Sequence, residues 1–266
     1  MALIETEVII VGGGPSGSSC ARQLRKYGID CLILDKEEFP RLKLCAGWIT
    51  PRVLRELDID EAAYPHTLVT FEKLYYHFYG RRIAVKSRQY SIRRIEFDNW
   101  LLQRAGVPVH IHQAKEIRES GGRYVIDNRF SSRYLVGAAG TYCPVYRTIF
   151  QRSRPRIKKL LVTAMEAEFQ YDYRDDRCYL WFFDNRLPGY SWYVPKGNGC
   201  LNIGIGGKLL SLRAGRGSIR DHWRCFTEKL SRLGLVREFD APARGCNYYL
   251  HQGKGPLRIR NAFIVG

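Results

Sequence analysis

The sequence predicts an α/β fold in which a strand–turn–helix–strand unit leads and a sheet-rich region follows. Three observations carry that prediction. A short β-branched run, Glu7-Val8-Ile9-Ile10-Val11, ends in the glycine turn Gly12-Gly13-Gly14-Pro15-Ser16-Gly17, and a helical pattern begins at once. A second apolar run, Cys31-Leu32-Ile33-Leu34, ends in the acid Asp35. From residue 158 onward, strand-like runs follow one another with turn residues between them.

Each part of the leading unit has a chemical reason. Gly12 permits a tight turn with backbone angles closed to residues that carry a side chain. Gly14 lets a pyrophosphate approach the backbone, and Gly17 lets helix and strand pack closely. The helix opening at Pro15 and Ser16 offers unpaired N–H groups to the phosphates. Asp35 falls close to the ~20-residue spacing at which an acid bonds a ribose hydroxyl. An acid there, in place of an Arg, favours an adenosine ribose without a 2′-phosphate, so FAD or NAD fits better than NADP.

After Asp35, residues 36–48 are irregular and basic, with one Cys and one Gly, and should pass over the bound nucleotide. Thr50-Pro51 then opens a helix to about residue 57, with Thr as cap and Pro at the first position. Residues 68–87 read as an aromatic-rich hairpin turning at Gly80-Arg81-Arg82, and residues 93–105 as an amphipathic helix stopped by Gly106. A strand at 107–112, a hairpin at 114–130 around Ser120-Gly121-Gly122, and an apolar strand at 134–137 follow. The later strands are expected at 161–169, 178–183, 190–194 and 200–205. A helix is expected at 218–230, then an irregular segment to 255. Gly204-x-Gly206-Gly207 reads as a strand end, because no β-α-β unit with a ribose acid follows it. The last residues, 260–266, form an apolar strand ending in Gly, which is expected of a piece of a longer protein.

Composition narrows the classes. With 266 residues the chain can bury one large core or two smaller ones. Its 43 Lys+Arg against 26 Asp+Glu give +17, a balance that favours anionic partners. The basic residues are scattered in pairs, so no concentrated nucleic-acid tract is present and no nucleic acid is expected. The eight Cys show no C-x-x-C pair and the six His no shared spacing, so neither a metal site nor a His-based triad is expected. The thiols read as reduced and the protein as cytoplasmic. No apolar run reaches the ~18 residues of a membrane span.

Five segments in this order resemble the FAD-dependent geranylgeranyl reductase family, within the aromatic-hydroxylase-like flavoproteins. They are Gly12-x-Gly14-x-x-Gly17; Leu34-Asp35-Lys36; Pro40-Arg41-x-Lys43-x-Cys45-Ala46-Gly47; Arg94-x-x-Phe97-Asp98-x-Trp100-Leu101; and Pro188-Gly189-Tyr190-x-Trp192-x-x-Pro195-Lys196. The resemblance implies a Rossmann-type FAD-binding domain with an inserted antiparallel-sheet substrate domain. Residues 1–67, 91–157 and 257–266 would form the first, and 68–90 with 158–256 the second. It implies that Gly12, Gly14, Pro15, Ser16 and Gly17 cradle the pyrophosphate and that Asp35 holds the ribose with Lys36 beside it. Cys45, Ala46 and Gly47 would lie near the flavin, Arg94 would contact the cofactor, and Ala114 would sit by the adenine. Tyr190, Trp192 and Pro195 would line the substrate cavity.

Two departures from the family stand out. Ala138-Ala139-Gly140 replaces a common Asp-Gly, and the Asp-Ala-Ala turn that relatives carry after the final strand does not follow Gly266.

The implied activity is reduction of carbon–carbon double bonds in isoprenoid lipid chains. Reduced flavin would give the hydride, and NAD(P)H or another low-potential carrier would reduce the flavin. Cys45 reads either as a thiol that assists proton delivery or as a small packing residue. The basic surface suits docking to anionic lipid headgroups, peripheral to a membrane. One alternative is a flavin monooxygenase or halogenase of the same superfamily. The other is a non-catalytic basic module that binds nucleotide or nucleic acid.

Overall fold

The computed structural model describes residues 3–215, 217–253 and 255–266; Met1, Ala2, Arg216 and Lys254, the last inside the segment expected to be irregular, lie outside them. In chain order the strands and helices are β1 (Ile4–Val11), α1 (Pro15–Lys26), β2 (Cys31–Asp35), β3 (Trp48–Ile49), α2 (Pro51–Glu56), β4 (Val69–Phe78) and β5 (Arg81–Ser91). Then come α3 (Arg94–Ala105), β6 (Val109–Ile111), β7 (Ile117–Ser120), β8 (Arg123–Ile126), β9 (Phe130–Gly137), β10 (Leu161–Gln170) and β11 (Cys178–Phe182). The chain ends with β12 (Gly189–Lys196), β13 (Cys200–Lys208), α4 (Leu209–Ala214), α5 (Ile219–Arg232), β14 (Arg244–Tyr249), β15 (Arg258–Ile259) and β16 (Ala262–Ile264).

The chain divides into two compact units, one of residues 1–42, 95–156 and 252–266, the other of residues 43–94 and 157–251. In the first unit the sheet order is β15-β16-β9-β1-β2-β6, with β1 parallel to both β9 and β2. Ile9, Val11, Leu32 and Leu34 point into one apolar cluster with Phe130, Tyr146 and Phe150. Val8, Ile10, Cys31 and Ile33 point into another with Ala21 of α1 and Leu102 and Ala105 of α3. Both faces are covered, which is why β1 and β2 read as continuous apolar runs rather than alternating ones.

The second unit is one sheet in the order β14-β10-β13-β12-β11-β4-β5-β3. Its pairs are antiparallel except β11 with β4, which run parallel with Cys178 opposite Leu74. A wholly antiparallel sheet is thus corrected by one pair: β4 and β11 are far apart in sequence, so no tight hairpin imposes opposite directions on them. One face packs Tyr179, Trp181, Tyr193 and Ile203 on Phe226 and Leu230 of α5. The other carries Leu74, Leu180, Trp192 and Val194 with Tyr76, Phe182 and Tyr190.

The unit boundaries differ from the sequence reading: residues 43–67, 91–94 and 157 go with the second unit and 252–256 with the first. The Cys45 N–H donates to Glu166 and Trp48 pairs with Ser91, which ties 43–67 and 91–94 to the second sheet. The stretch before residue 255 is not all irregular: Arg244–Tyr249 forms β14 at the sheet edge. That strand holds Gly245 and Asn247, weak strand formers, and most of it is exposed, so neither propensity nor alternation announced it. The short helix α4 was likewise not anticipated.

Candidate functional site

In the first unit the glycine turn is fixed from several sides. Gly12 has φ +112°, and a Cβ there would lie 2.6 Å from the Ala138 carbonyl carbon. A Cβ on Gly17 would run into the Gly12 carbonyl oxygen. The Gly13 N–H donates to Asp35 Oδ2 at 2.7 Å, and the Glu37 N–H donates to Asp35 Oδ1 at 3.0 Å. Asp35 is therefore held rigidly at the end of β2. An ionised carboxylate offers about four acceptor positions, so a ribose hydroxyl can be added to these two amides. Helix α1 opens at Gly14 with no side-chain cap, and its first residue is Pro15. The remaining amides of that first turn carry the positive end of the helix dipole.

Arg41, which the sequence reading placed only as a basic neighbour of Cys45, completes this cradle. A Cβ on Gly14 would come 3.3 Å from Arg41 Nη2, so the guanidinium faces the bare glycine backbone where an anion would meet it. The Arg41 guanidinium is itself held 3.7 Å from the fully buried Asp98 and 4.5 Å over the Phe39 ring. Gly266 lies against Ser16 in the same unit. These residues fit an adenosine diphosphate: two glycines without room for a Cβ, a free helix N-terminus, a basic side chain and a fixed acid. The other expected positions are less telling. Lys36 is exposed and pairs with Glu37 at 3.2 Å, and Ala114 is buried in the core beside β2 and β9.

The second unit holds a buried polar cluster around Cys45-Ala46-Gly47. The Cys45 N–H donates to Glu166 Oε1 at 2.7 Å, and the Gly47 N–H lies 3.4 Å from the Cys45 sulfur. Asn202 Nδ2 reaches Glu166 at 3.5 Å and Glu168 at 3.4 Å, while its Oδ1 accepts from Trp192 Nε1 at 2.7 Å. Arg93 Nε donates to Glu168 at 3.0 Å. Lys196 has no exposed surface, and its ammonium donates to the carbonyls of Ala46 and, at 2.8 Å, Ile92. Burial pushes Lys196 down to about 8, against the opposing pull of Glu168, Cys45 and Glu166. Burial also pushes the Glu166 carboxyl up, and the Cys45 and Asn202 hydrogen bonds only partly offset it.

Beside this cluster lies an aromatic surface. Phe78 stacks on Phe182 at 4.8 Å, Phe182 on Tyr190 at 5.2 Å, and Tyr190 leans on Trp192 at 5.7 Å. Ala46, beside Cys45, packs into the same cluster as Phe182, Tyr190 and Trp192. Trp192 fits because β13 offers Gly204, where a Cβ would overlap the indole. Gly204, Gly206 and Gly207 fall in the last five residues of β13, the strand end expected from sequence. Pro195 is out of phase with Trp192 and pairs with Leu201, a residue of the opposite core, so it does not share the aromatic surface. Its carbonyl accepts from Ser91 Oγ at 2.6 Å. Arg94 is half-buried at the first turn of α3.

Sequence reasoning missed Glu166, Glu168, Asn202 and Lys196. A signal was present: a Lys, an Asn and two Glu interrupt strands that are otherwise apolar, which a buried sheet tolerates only when the groups pair with one another. No cluster of three or more metal-ligating side chains occurs among the described residues. No helix among them is long and apolar enough to cross a membrane.

The family described as FAD binding domain matches residues 5–70. Digeranylgeranylglycerophospholipid reductase 1 of Methanopyrus kandleri is 28% identical over 226 residues, covering 76% of this chain and 58% of that protein. The menaquinone reductase of Mycobacterium tuberculosis is 26% identical over 231 residues, covering 78% of this chain and 56% of that protein. The chain therefore spans little more than half the length of these curated relatives. Among solved structures, a geranylgeranyl bacteriochlorophyll reductase-like protein of Thermoplasma acidophilum aligns over all of this chain and 71% of its own, with TM-score 0.81 and 21% identity. The flavin-dependent brominase Bmp2 aligns over 98% of this chain and 71% of its own, with TM-score 0.75 and 18% identity.

Proposed function

We propose that this chain is a flavin oxidoreductase of the FAD-dependent geranylgeranyl reductase family that reduces carbon–carbon double bonds of isoprenoid lipid chains, a reading that its FAD binding domain match and its reductase relatives support. The observation that carries this reading is the run of rings Phe78, Phe182 and Tyr190, stacked in turn, with Trp192 tilted against Tyr190 and Ala46 of the cysteine turn in the same cluster. A row of aromatic faces on one side of a sheet is a bed for a long apolar chain and holds it without hydrogen bonds. The names of the relatives from Methanopyrus and Mycobacterium, a phospholipid reductase and a quinone reductase, agree with a lipid substrate.

In this reading Gly12, Gly14, Pro15, Ser16 and Gly17 hold the FAD pyrophosphate with Arg41, and Asp35 holds the adenosine ribose. Cys45, Ala46, Gly47 and Arg94 serve the flavin, Ala114 the adenine, and Lys36 the edge of the nucleotide. Reduced FAD supplies the hydride. The chain's own residues then do the rest. Tyr190 and Trp192 orient the alkene and exclude water. Glu166 accepts the Cys45 N–H and so holds the backbone of the cysteine turn in place. Cys45 presents its thiol to the same space and is the residue we assign to proton delivery. NAD(P)H or another low-potential carrier reduces the cofactor, and the basic surface brings the protein to anionic lipid headgroups.

The test is the visible spectrum of the full-length purified protein. Flavin bands bleached by the donor and restored without oxygen by a polyprenyl lipid are expected. A colourless protein that cannot be reconstituted with FAD would defeat the proposal. Peroxide with a hydroxylated or halogenated product would replace it with the monooxygenase or halogenase reading. Unchanged turnover in Cys45→Ser with FAD bound would remove the thiol from the mechanism.

A further inference from the structure

We propose that Lys196 is the positioning residue of the cysteine turn: its buried ammonium ties Ala46 to Ile92 and so fixes where Cys45 presents its thiol. The geometry is closed on all sides. The Lys196 Nζ donates to the carbonyls of Ala46 and Ile92, the second at 2.8 Å. The Ile92 N–H returns to the Gly47 carbonyl at 2.9 Å, so the turn and the end of β5 are bonded in both directions. Gly47 has φ +63°, and a Cβ there would sit 2.5 Å from the Lys196 Nζ and collide with the Ile92 carbonyl. The ammonium therefore occupies the space that a glycine leaves. On the other side of the turn Glu166 takes the Cys45 N–H.

A fully buried lysine is rarely retained as a mere packing residue, because its charge loses hydration that only close acceptors can replace. Here those acceptors are main-chain carbonyls of the turn itself. Charge-assisted bonds of this kind are about twice as strong as neutral ones. The backbone of Lys196 is fixed in turn, since its carbonyl accepts from Tyr173 Oη at 2.6 Å. The groups that face the ammonium are Glu166 and Glu168 of β10, Cys45 of the turn and Cys178 of β11, with Arg93 paired to Glu168. Lys196 acts through the turn, by its bonds to the Ala46 and Ile92 carbonyls.

The inference rests on the reading of Cys45 as a residue of the reductase site, but its test does not use turnover. Full-length protein purified with its flavin is treated with iodoacetamide, and each thiol is followed by peptide mass spectrometry. In Lys196→Met the alkylation of Cys45 should rise about fivefold relative to Cys225, a half-buried thiol of α5 that is remote from the turn in sequence. Lys196→Gln, which keeps N–H donors but no charge, should fall between that variant and the wild type. A merely structural loss would expose the buried Cys178 and Cys200 together with Cys45, and that outcome overturns the proposal. So does an unchanged ratio of Cys45 to Cys225. If neither variant folds, hydrogen exchange in the wild type decides. The Cys45, Gly47 and Ile92 amides, corrected for intrinsic rates, should exchange faster once Lys196 loses its proton, and constant protection across that range overturns the tether. Either overturning result leaves open whether the flavin reduces a lipid alkene, which the spectrum tests separately.

Discussion

Lys196 shows most directly how one residue can tie stability to pH. Its folded value is pushed down to about 8 from 10.5 by burial. Between those two values the unfolded chain binds more protons at this site than the folded chain. Stability from this group therefore rises with pH across that window, and below it the cost of burying the cation is fully present. The wild type should accordingly gain on the order of 2 kcal/mol over Lys196→Met between about pH 7 and about pH 10. Urea unfolding of both proteins at the two pH values measures the difference, in which titrations common to both cancel. A difference that does not change with pH would mean that Lys196 keeps its ordinary affinity for the proton. Glu166 and Asn202 show the same dependence on partners: each is buried and acceptable only because the other, with Cys45 and Trp192, satisfies it.

At the scale of elements, the strand–turn–helix at 4–26 was legible because local chemistry alone specifies it. Gly12, Gly14 and Gly17 are demanded by backbone contacts and by the anion they admit, and β1 and β2 by burial on both faces. The three glycines are not equivalent, and substitutions separate them. In Gly17→Ala the new Cβ meets the rigid Gly12 carbonyl, so a stability loss of about 3 kcal/mol is expected, together with loss of flavin. Gly14→Ala meets only the far end of the Arg41 side chain, which can move. Its fold should be nearly unchanged while FAD affinity drops about tenfold, because the Cβ occupies the approach of the pyrophosphate. Thermal unfolding and flavin absorbance after gel filtration distinguish the two. Equal destabilisation by both would contradict the contacts described. The hairpin β4–β5 and the strands β10 to β13 were also legible from their apolar runs. The edge strand β14 was not, since exposure on most of its positions erased the pattern.

For the whole molecule, two cores divide the chain, and the thiols report on both. Cys31 and Cys143 lie in the first unit and Cys178 and Cys200 in the second, all four buried; Cys20, Cys45, Cys225 and Cys246 are half-buried. A thiol reagent such as Ellman's should titrate no more than these four half-buried thiols in the native protein and all eight in denaturant. A native count above four would mean that one of the two cores opens readily. The resemblance placed residues 43–67 with the nucleotide unit. In the structure they join the second sheet through Trp48 with Ser91 and Cys45 with Glu166, contacts that span up to 121 positions and leave no trace in local pattern.

By itself the sequence determined the nucleotide turn, its acid, the alternation of helices and strands, and the aromatic strand carrying Tyr190 and Trp192. These depend on neighbours a few residues apart, on backbone angles, and on the periods of helix and strand. Only the tertiary structure decided that Pro195 faces away from those rings and that Gly204 makes room for Trp192. It alone brought Arg41 to the bare backbone of Gly14, and Glu166, Asn202 and Lys196 around Cys45. Each of these is a matter of which strands lie side by side and in what register. A buried charge is tolerable only where that register delivers its partners, and no local stretch of sequence contains them.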